Sequence, residues 1–147
     1  MGLVNGGGYA EKAAMPADRV MKIPDNMTFE EAAAIPEVFL TAYQTLYWIG
    51  KLQPKEKVLI HAGGSGVGTA AIQLARQLTD AEIFVTAGTE EKLAVCKRLG
   101  ADHLIHYKSQ DFAKEVQRIT NKSGVNVILD FIGASYWEKN LTSIALD

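Results

Sequence analysis

The sequence is poor in cysteine, in net charge and in long apolar runs, and each shortage excludes a class of protein. A single cysteine, Cys96, excludes an intramolecular disulfide and fits a reducing compartment. The net charge of −2, without any basic run, argues against nucleic-acid binding. No apolar stretch reaches the roughly 18–20 residues that cross a bilayer, and residues 1–9 lack a signal-peptide core. We therefore expect a soluble, cytoplasmic protein with neither nucleic-acid nor membrane partners.

What the sequence does contain is an ordinary globular composition, 48% hydrophobic and 22% charged, and one glycine-rich stretch. The apolar residues 58–60 predict a buried parallel strand, a glycine turn follows, and small apolar residues from 70 to 75 predict a helix. In that order, backbone N–H groups and a helix N-terminus can face an anionic phosphate. The stretch predicts a nucleotide site, with a merely tight turn as the alternative.

Other glycine-loop classes fit this stretch less well. Gly63 and Gly68 have the spacing of a phosphate-binding P-loop, but no lysine precedes Thr69, which makes NTP hydrolysis a poor prediction. An S-adenosylmethionine methyltransferase would be expected to have an acidic residue at the end of the next strand, and this sequence has none there. A strict G-x-G-x-x-G is also missing, because Thr69 stands where its third glycine would come.

Strand and helix patterns alternate through most of the chain. Strands are predicted at 58–60, 82–87, 103–107 and 125–132. Helices are predicted from a capping box at Thr28, from Pro36 to about residue 49, after the glycine turn, after Thr89, over 109–121 and over 136–146. This alternation predicts an α/β fold, a Rossmann-like doubly wound parallel sheet of about four strands. The fourth strand is expected to form an exposed apolar edge.

The first 27 residues look different from the rest. Residues 9–15 and 19–23 are short strand-like runs, each closed by a proline, with no partner strands nearby. We interpret residues 1–27 as the remnant of a β-rich domain, 28–50 as connecting helices and 51–147 as a partial dinucleotide-binding domain. We expect the chain to be a fragment, truncated at both ends.

The end of the second predicted strand bears on the cofactor. Folds that prefer NAD place a carboxylate there for the ribose 2′-hydroxyl, and this chain has none before Glu90. Gly88 leaves room, Thr89 offers a hydroxyl, and Lys92 follows in the first helical turn. This suits the 2′-phosphate of NADPH, although Glu90 and Glu91 oppose an anion and a lone lysine is often only solvated.

Several blocks together resemble the zinc-independent quinone oxidoreductase branch of the medium-chain dehydrogenase/reductases. They are AAAIPEVFLTAYQTL, VLIHAGGSGVGTAAIQLAR, VTAGTEEKL, LGADHLIHY and GVNVILDFIGASYWEKNL, and they stand in the family's order. The likeness is strongest to the tumour-suppressor-inducible NADPH quinone oxidoreductases, and it implies that residues 1–27 belong to a GroES-like catalytic domain. It also implies the cofactor-binding positions Thr41, Ser65, Gly66, Val67, Gly68, Gly88, Thr89, Lys92, Tyr107 and Gly133.

The same resemblance bears on metal and reaction. Zinc-dependent cousins carry a cysteine four residues before the threonine near the nicotinamide, and Glu37 stands there, so no metal is expected. NADPH would pass hydride to a quinone or a similar conjugated acceptor. No catalytic residue is named, because the family's acceptor-facing residues lie upstream, and turnover by this chain alone is not expected. Full-length relatives are expected to be homodimers. The alternatives are an NADPH-dependent enone or enoyl-thioester reductase and a non-catalytic nucleotide-binding or interaction module.

Overall fold

The computed structural model describes residues 1–146 and has a parallel sheet at its centre. Strands β1 (Lys57–Ile60), β2 (Glu82–Ala87), β3 (His103–His106) and β4 (Val127–Leu129) form one four-stranded sheet in the order β3-β2-β1-β4. All three pairings are parallel, with Ile60 opposite Val85 on one side and Leu129 on the other. The predicted α/β class and the four-stranded parallel sheet are therefore confirmed.

Six helices surround this sheet. They are α1 (Phe29–Ala33), α2 (Pro36–Tyr43), α3 (Gly66–Thr79), α4 (Glu90–Arg98), α5 (Phe112–Ile119) and α6 (Trp137–Ser143). Short 3-10 turns occur at Ala17–Arg19 and Ala134–Tyr136. Two apolar clusters result, one between the sheet and α2, α3 and α4, the other between the sheet and α5. No helix within residues 1–146 is long and apolar enough to cross a membrane.

Local side-chain chemistry sets most helix starts. Thr28 caps α1 in a reciprocal capping box with Glu31, and Pro36 occupies the first turn of α2, both as predicted. The long helix after Pro36 changes into a π-helix over Gln44–Ile49, and Gly50 occupies its C-cap. A Cβ on Gly50 would lie 2.9 Å from the Thr45 carbonyl oxygen, so the wide last turn leaves room only for glycine.

Four predictions about the elements are corrected. Residues 9–15 and 19–23 form no strand: no strand lies beside residues 9–15, and Met21 exchanges backbone hydrogen bonds with Met1 alone. Helix α5 begins only after Asp111, whose carboxylate accepts from the Ala113 and Lys114 N–H groups. Strand β4 is shorter than predicted, and α6 ends at Ser143 rather than at residue 146.

The edge at β4 is also less exposed than predicted. Val127 and Leu129 are buried against the α2 side of the sheet, where a Cβ on Gly50 would touch Val127. Beyond the strand, Val125 pairs with Ile144, because the Val125 N–H donates to Ser143 and its carbonyl accepts from Ala145. Strand β4 is therefore an edge strand, as predicted, but Val127 and Leu129 are buried and only Phe131 and Ile132, beyond its end, are exposed.

Candidate nucleotide-binding site

The turn between β1 and α3 is held tightly against β2. The Gly63 N–H donates to the Thr86 carbonyl at 2.9 Å, and the Ser65 N–H donates to the Ala62 carbonyl at 2.8 Å. Ala62 has a positive φ of 49°, which is uncommon for a residue other than glycine. A Cβ on Gly68 would lie 2.5 Å from the Ala62 carbonyl oxygen. Glycine at 68 therefore lets the start of α3 pack directly against the end of β1.

The N-terminus of α3 presents unpaired donors to solvent. Ser65 caps the helix, and its Oγ accepts from the Gly68 N–H at 3.1 Å. The N–H groups of Gly66 and Val67 lie in the first turn of the helix, and the helix has no carbonyl one turn earlier to accept from them. They therefore have no intrahelical partner. Ser65 and Gly66 are exposed, whereas the Val67 side chain packs on the core. Together with the helix dipole, these groups form a site that favours an anion.

A shallow pocket of about 110 Å³ opens beside this helix start, where β1, β2 and β3 end. The residues that line it are Ala62, Gly64, Ser65, Ala87, Gly88, Lys92 and Tyr107. A Cβ on Gly64 would lie 2.9 Å from Lys92 Cβ, and one on Gly88 would lie 2.5 Å from the Tyr107 hydroxyl oxygen. The two glycines therefore allow the Lys92 stem and the Tyr107 ring to lie flat against the loop.

Helix α4 brings the positive charge to this pocket. Thr89 caps the helix by accepting from the Lys92 N–H at 3.3 Å, which fixes the backbone of Lys92 in the first turn. The side chain of Lys92 is exposed, and within residues 1–146 its ammonium group forms no ion pair. The exposed carboxylates of Glu90 and Glu91 share the turn. Lys92 is thus the cation that faces the pocket.

The other two predicted cofactor positions lie away from the pocket. The Thr41 hydroxyl, on α2, is 3.4 Å from Glu37 Oε1 and donates to it. Gly133 follows the end of β4 with a φ of 82°, and its N–H donates to Asp130 Oδ1 at 3.1 Å. Most of the predicted cofactor positions thus lie at the pocket or at the α3 N-terminus, whereas Thr41 and Gly133 do not line the pocket. Within residues 1–146, no three or more His, Cys, Asp or Glu side chains come together as a metal site.

The pocket also contains residues that the sequence did not single out. Ala62, Gly64 and Ala87 line it, and all three stand at or just after the carboxyl ends of β1 and β2. Ligands of doubly wound sheets bind at that edge, so position in the fold was the signal that could have found them. Cys96 is packed in the core beside Gly63, and burial raises the pKa of its thiol.

A buried histidine lies just behind the glycine turn. His61 has no exposed surface; its Nδ1 is 3.0 Å from Thr86 Oγ1 and its Nε2 is 2.9 Å from Asn140 Oδ1. The ring packs edge-on against Phe112 and Tyr136. Burial lowers the pKa of His61 below its ordinary value, against the opposing effects of Asn140 and Asp130. No pattern in the sequence indicated these polar partners of His61.

The fold and the site define a dinucleotide-binding α/β domain. The family described as zinc-binding dehydrogenase (ADH_zinc_N) matches residues 66–147, more than half of the chain. The chain therefore belongs to this family, within the medium-chain dehydrogenase/reductase superfamily of oxidoreductases.

Curated relatives are much longer than this chain. A highly reducing polyketide synthase, phiA, from a fungal species is 42% identical over 127 residues, which is 84% of this chain and 5% of the synthase. The human synaptic vesicle membrane protein VAT-1 homolog is 38% identical over 135 residues, 92% of this chain and 34% of that protein. The chain thus spans about a third of the length of the second relative and about a twentieth of the first.

Similar solved structures share the fold but belong to enzymes with different named activities. An NAD-dependent alcohol dehydrogenase is 43% identical with a TM-score of 0.88, over 95% of this chain and 40% of that one. The CurK enoyl reductase is 39% identical with a TM-score of 0.82, over 89% and 39%. The quinone oxidoreductase of Escherichia coli, solved with NADPH, is 33% identical with a TM-score of 0.80, over 87% and 39%. A nicotinamide-cofactor fold is therefore shown.

Proposed function

We propose that this chain binds NADPH and serves an NADPH-dependent reductase of quinones or similar conjugated acceptors. The observation that carries the proposal is Lys92, a cation without an ion-pair partner in residues 1–146, beside a pocket whose β2 edge ends in Ala87 and Gly88. An NAD site would be expected to have a carboxylate at that edge. The 2′-phosphate of NADPH is the anion that Lys92 and the Tyr107 hydroxyl would hold.

The donor set of the site fits the rest of the cofactor. The N–H groups of Gly66 and Val67 suit the pyrophosphate, because they are unpaired donors at the positive end of a helix. Gly133, whose missing side chain leaves open space, would let the backbone after β4 approach the cofactor. When bound, NADPH supplies the hydride, while these residues bind and orient it. The proposal includes no metal, because Glu37 stands where zinc-dependent cousins have cysteine.

Two acceptor classes compete within this proposal. The quinone class is supported by the sequence blocks, which resemble the tumour-suppressor-inducible NADPH quinone oxidoreductases, and by the Escherichia coli quinone oxidoreductase. The enoyl class, with an activated carbon–carbon double bond as acceptor, is supported by the higher identity to the CurK enoyl reductase, 39% against 33%. Both classes need the same NADPH site, so binding is the property to test first.

The test is a titration of the purified chain with NADPH and with NADH, followed by tryptophan fluorescence. We expect tighter binding of NADPH, because a charge-assisted contact to a phosphate contributes about 1.5–3 kcal/mol. Lys92→Ala is expected to weaken NADPH binding about tenfold or more and to leave NADH binding nearly unchanged.

Lys97→Ala is the matched control for this titration. Lys97 lies in the last turn of the same helix, is also exposed, and does not line the pocket. Its replacement removes the same charge from the protein and should leave both affinities unchanged. Equal affinity of the wild-type chain for the two dinucleotides would contradict the 2′-phosphate role of Lys92. If Lys92→Ala and Lys97→Ala weakened NADPH binding equally, the effect would come from the net charge of the protein and not from a contact between Lys92 and the 2′-phosphate.

A further inference from the structure

A continuous series of hydrogen bonds runs from β2 to the turn after β4. It begins at the Thr86 hydroxyl and passes through the His61 ring to the side chain of Asn140 on α6. The Asn140 amide nitrogen then donates to Asp130 Oδ2 at 3.0 Å. The other carboxylate oxygen, Asp130 Oδ1, accepts from the Ile132 N–H at 2.7 Å and from the Gly133 N–H at 3.1 Å. We call these four side chains the His61 series.

The polarity of the His61 series is fixed from its acidic end. Asp130 is a carboxylate that only accepts, so the Asn140 amide must turn its NH₂ toward it and its oxygen toward His61. His61 Nε2 must then carry the ring proton, and Nδ1 must accept from the Thr86 hydroxyl. This assignment follows from completing the hydrogen bonds, with every side chain in a single role.

Packing holds the same histidine in one orientation. The His61 ring centroid is 4.7 Å from that of Phe112 and 4.8 Å from that of Tyr136, with both contacts edge-on. Thr86, Asn140 and His61 are all buried, so any of them left without its partner would cost the desolvation of a polar group. The turn at the far end is different, because Phe131, Ile132 and Gly133 are exposed. The His61 series thus connects a rigid interior to an exposed turn.

The turn after β4, at which the His61 series ends, lies at the same edge of the sheet as the nucleotide site. Strand β4 lies beside β1, and its carboxyl end borders the crevice in which doubly wound sheets bind ligands. The pocket at Lys92 and Tyr107 lies on the opposite side of β1, at the ends of β2 and β3. A dinucleotide with its 2′-phosphate at Lys92 and its pyrophosphate at the α3 N-terminus would extend toward the turn after β4.

We propose that His61 is a positioning residue which, through Asn140 and Asp130, holds the Ile132–Gly133 turn in place to receive the nicotinamide half of the cofactor. The inference rests on the proposed function, since it requires NADPH in this crevice. A purely structural role would differ in one respect. It would change the stability of the fold, and any effect on binding would be shared by both halves of the cofactor.

The experiment uses two probes, NADPH and 2′,5′-ADP, which carries the 2′-phosphate but lacks the nicotinamide half. In Asn140→Asp, the new carboxylate faces the Asp130 carboxylate, and because neither group has a proton to donate, the contact between residues 140 and 130 is lost. We expect NADPH affinity to fall about tenfold, while 2′,5′-ADP affinity changes less than about twofold. The thermal unfolding midpoint of each variant is measured in parallel, to show whether the fold is intact.

A second substitution should restore the series. In the double variant Asp130→Asn with Asn140→Asp, the carboxylate and the amide exchange places. The residue at 140 then accepts from His61 Nε2 and from the amide at 130, whose oxygen still accepts from Ile132 and Gly133. NADPH affinity is expected to return to within about threefold of the wild-type value. Asp130→Ala, which removes the acceptor without bringing two carboxylates together, should show the same division between probes if Asn140→Asp does not fold.

Three results would overturn the inference. Equal weakening of NADPH and 2′,5′-ADP in the single variants would show that the series supports only the fold. A folded double variant that fails to recover NADPH affinity would show that the hydrogen-bond polarity is irrelevant. A wild-type chain that binds neither probe would overturn the proposed function and this inference with it, whereas the first two results leave the proposed function standing.

Discussion

The two faces of the sheet are packed in different ways. On the face toward α2, α3 and α4, the buried residues are aliphatic or small, as in Ile60, Ala71 and Val85. On the face toward α5 and α6, apolar residues such as Phe84 and Val116 are accompanied by buried polar side chains, among them His61, Thr86 and Asn140. The first face supports the pocket by close backbone packing, and the second supports the turn after β4 by directed hydrogen bonds.

This difference also separates what sequence could predict from what it could not. The aliphatic face was predictable because apolar residues recur at strand and helix spacing, and β2 was predicted with its bounds, Glu82–Ala87, unchanged. The polar face was not predictable, because His61 and Asn140 are 79 positions apart and no local pattern in the sequence connects them. Only the fold brings these two residues within hydrogen-bond distance of each other.

Side chains that accept hydrogen bonds from nearby backbone N–H groups explain most of the remaining differences between the predicted and the observed helix and strand ends. Asp111 delays the start of α5 because its carboxylate accepts from two backbone N–H groups. Asp130 helps to end β4 in the same way, by bonding to the Ile132 and Gly133 N–H groups. Residues 9–15 have the pattern of a strand but do not form one, because a strand needs a neighbouring strand and the sequence does not show whether one is present.

In the site, the glycine turn, Gly88, Lys92 and Tyr107 were identified from the sequence. The pocket positions of Ala62, Gly64 and Ala87 became evident only from the fold.

The largest effect is expected at the close contact that supports the aliphatic face. Gly68→Ala places a Cβ 2.5 Å from the Ala62 carbonyl oxygen and 2.8 Å from Gly63 Cα, both of which are backbone atoms that cannot rotate away. We expect a loss of about 3 kcal/mol or more in the free energy of unfolding. Urea denaturation measures it. Gly6→Ala is the matched control, because nothing lies within 4 Å of its added Cβ, and a Gly68→Ala chain as stable as this control would contradict the packing described.

A smaller effect is expected from exchanging the chemistry of two neighbouring residues on β2. Val85 and Thr86 have nearly the same shape, are both buried, and point to opposite faces of the sheet. Thr86→Val leaves His61 Nδ1 without its donor, and Val85→Thr buries a hydroxyl in the aliphatic cluster. Each should cost about 1–3 kcal/mol, measured by urea denaturation.

The two substitutions on β2 should also differ in how they act together with the His61 series. Thr86→Val combined with Asn140→Ala is expected to be non-additive, because both residues bond to the same ring. Val85→Thr combined with Asn140→Ala should be additive, because Val85 lies on the other face. Additivity in both pairs would mean that the His61 series does not act as a unit.

In the proposed complex, the α3 N-terminus and Lys92 hold the two phosphate regions of NADPH. Titration of the ¹⁵N-labelled chain with NADPH, followed through its backbone amide signals, tests this arrangement residue by residue. The largest shifts are expected at Gly66 and Val67, where unpaired N–H groups would meet the pyrophosphate, and at Gly88 and Lys92, where the 2′-phosphate would lie. Shifts confined to other residues, or no shifts at saturating NADPH, would contradict the account.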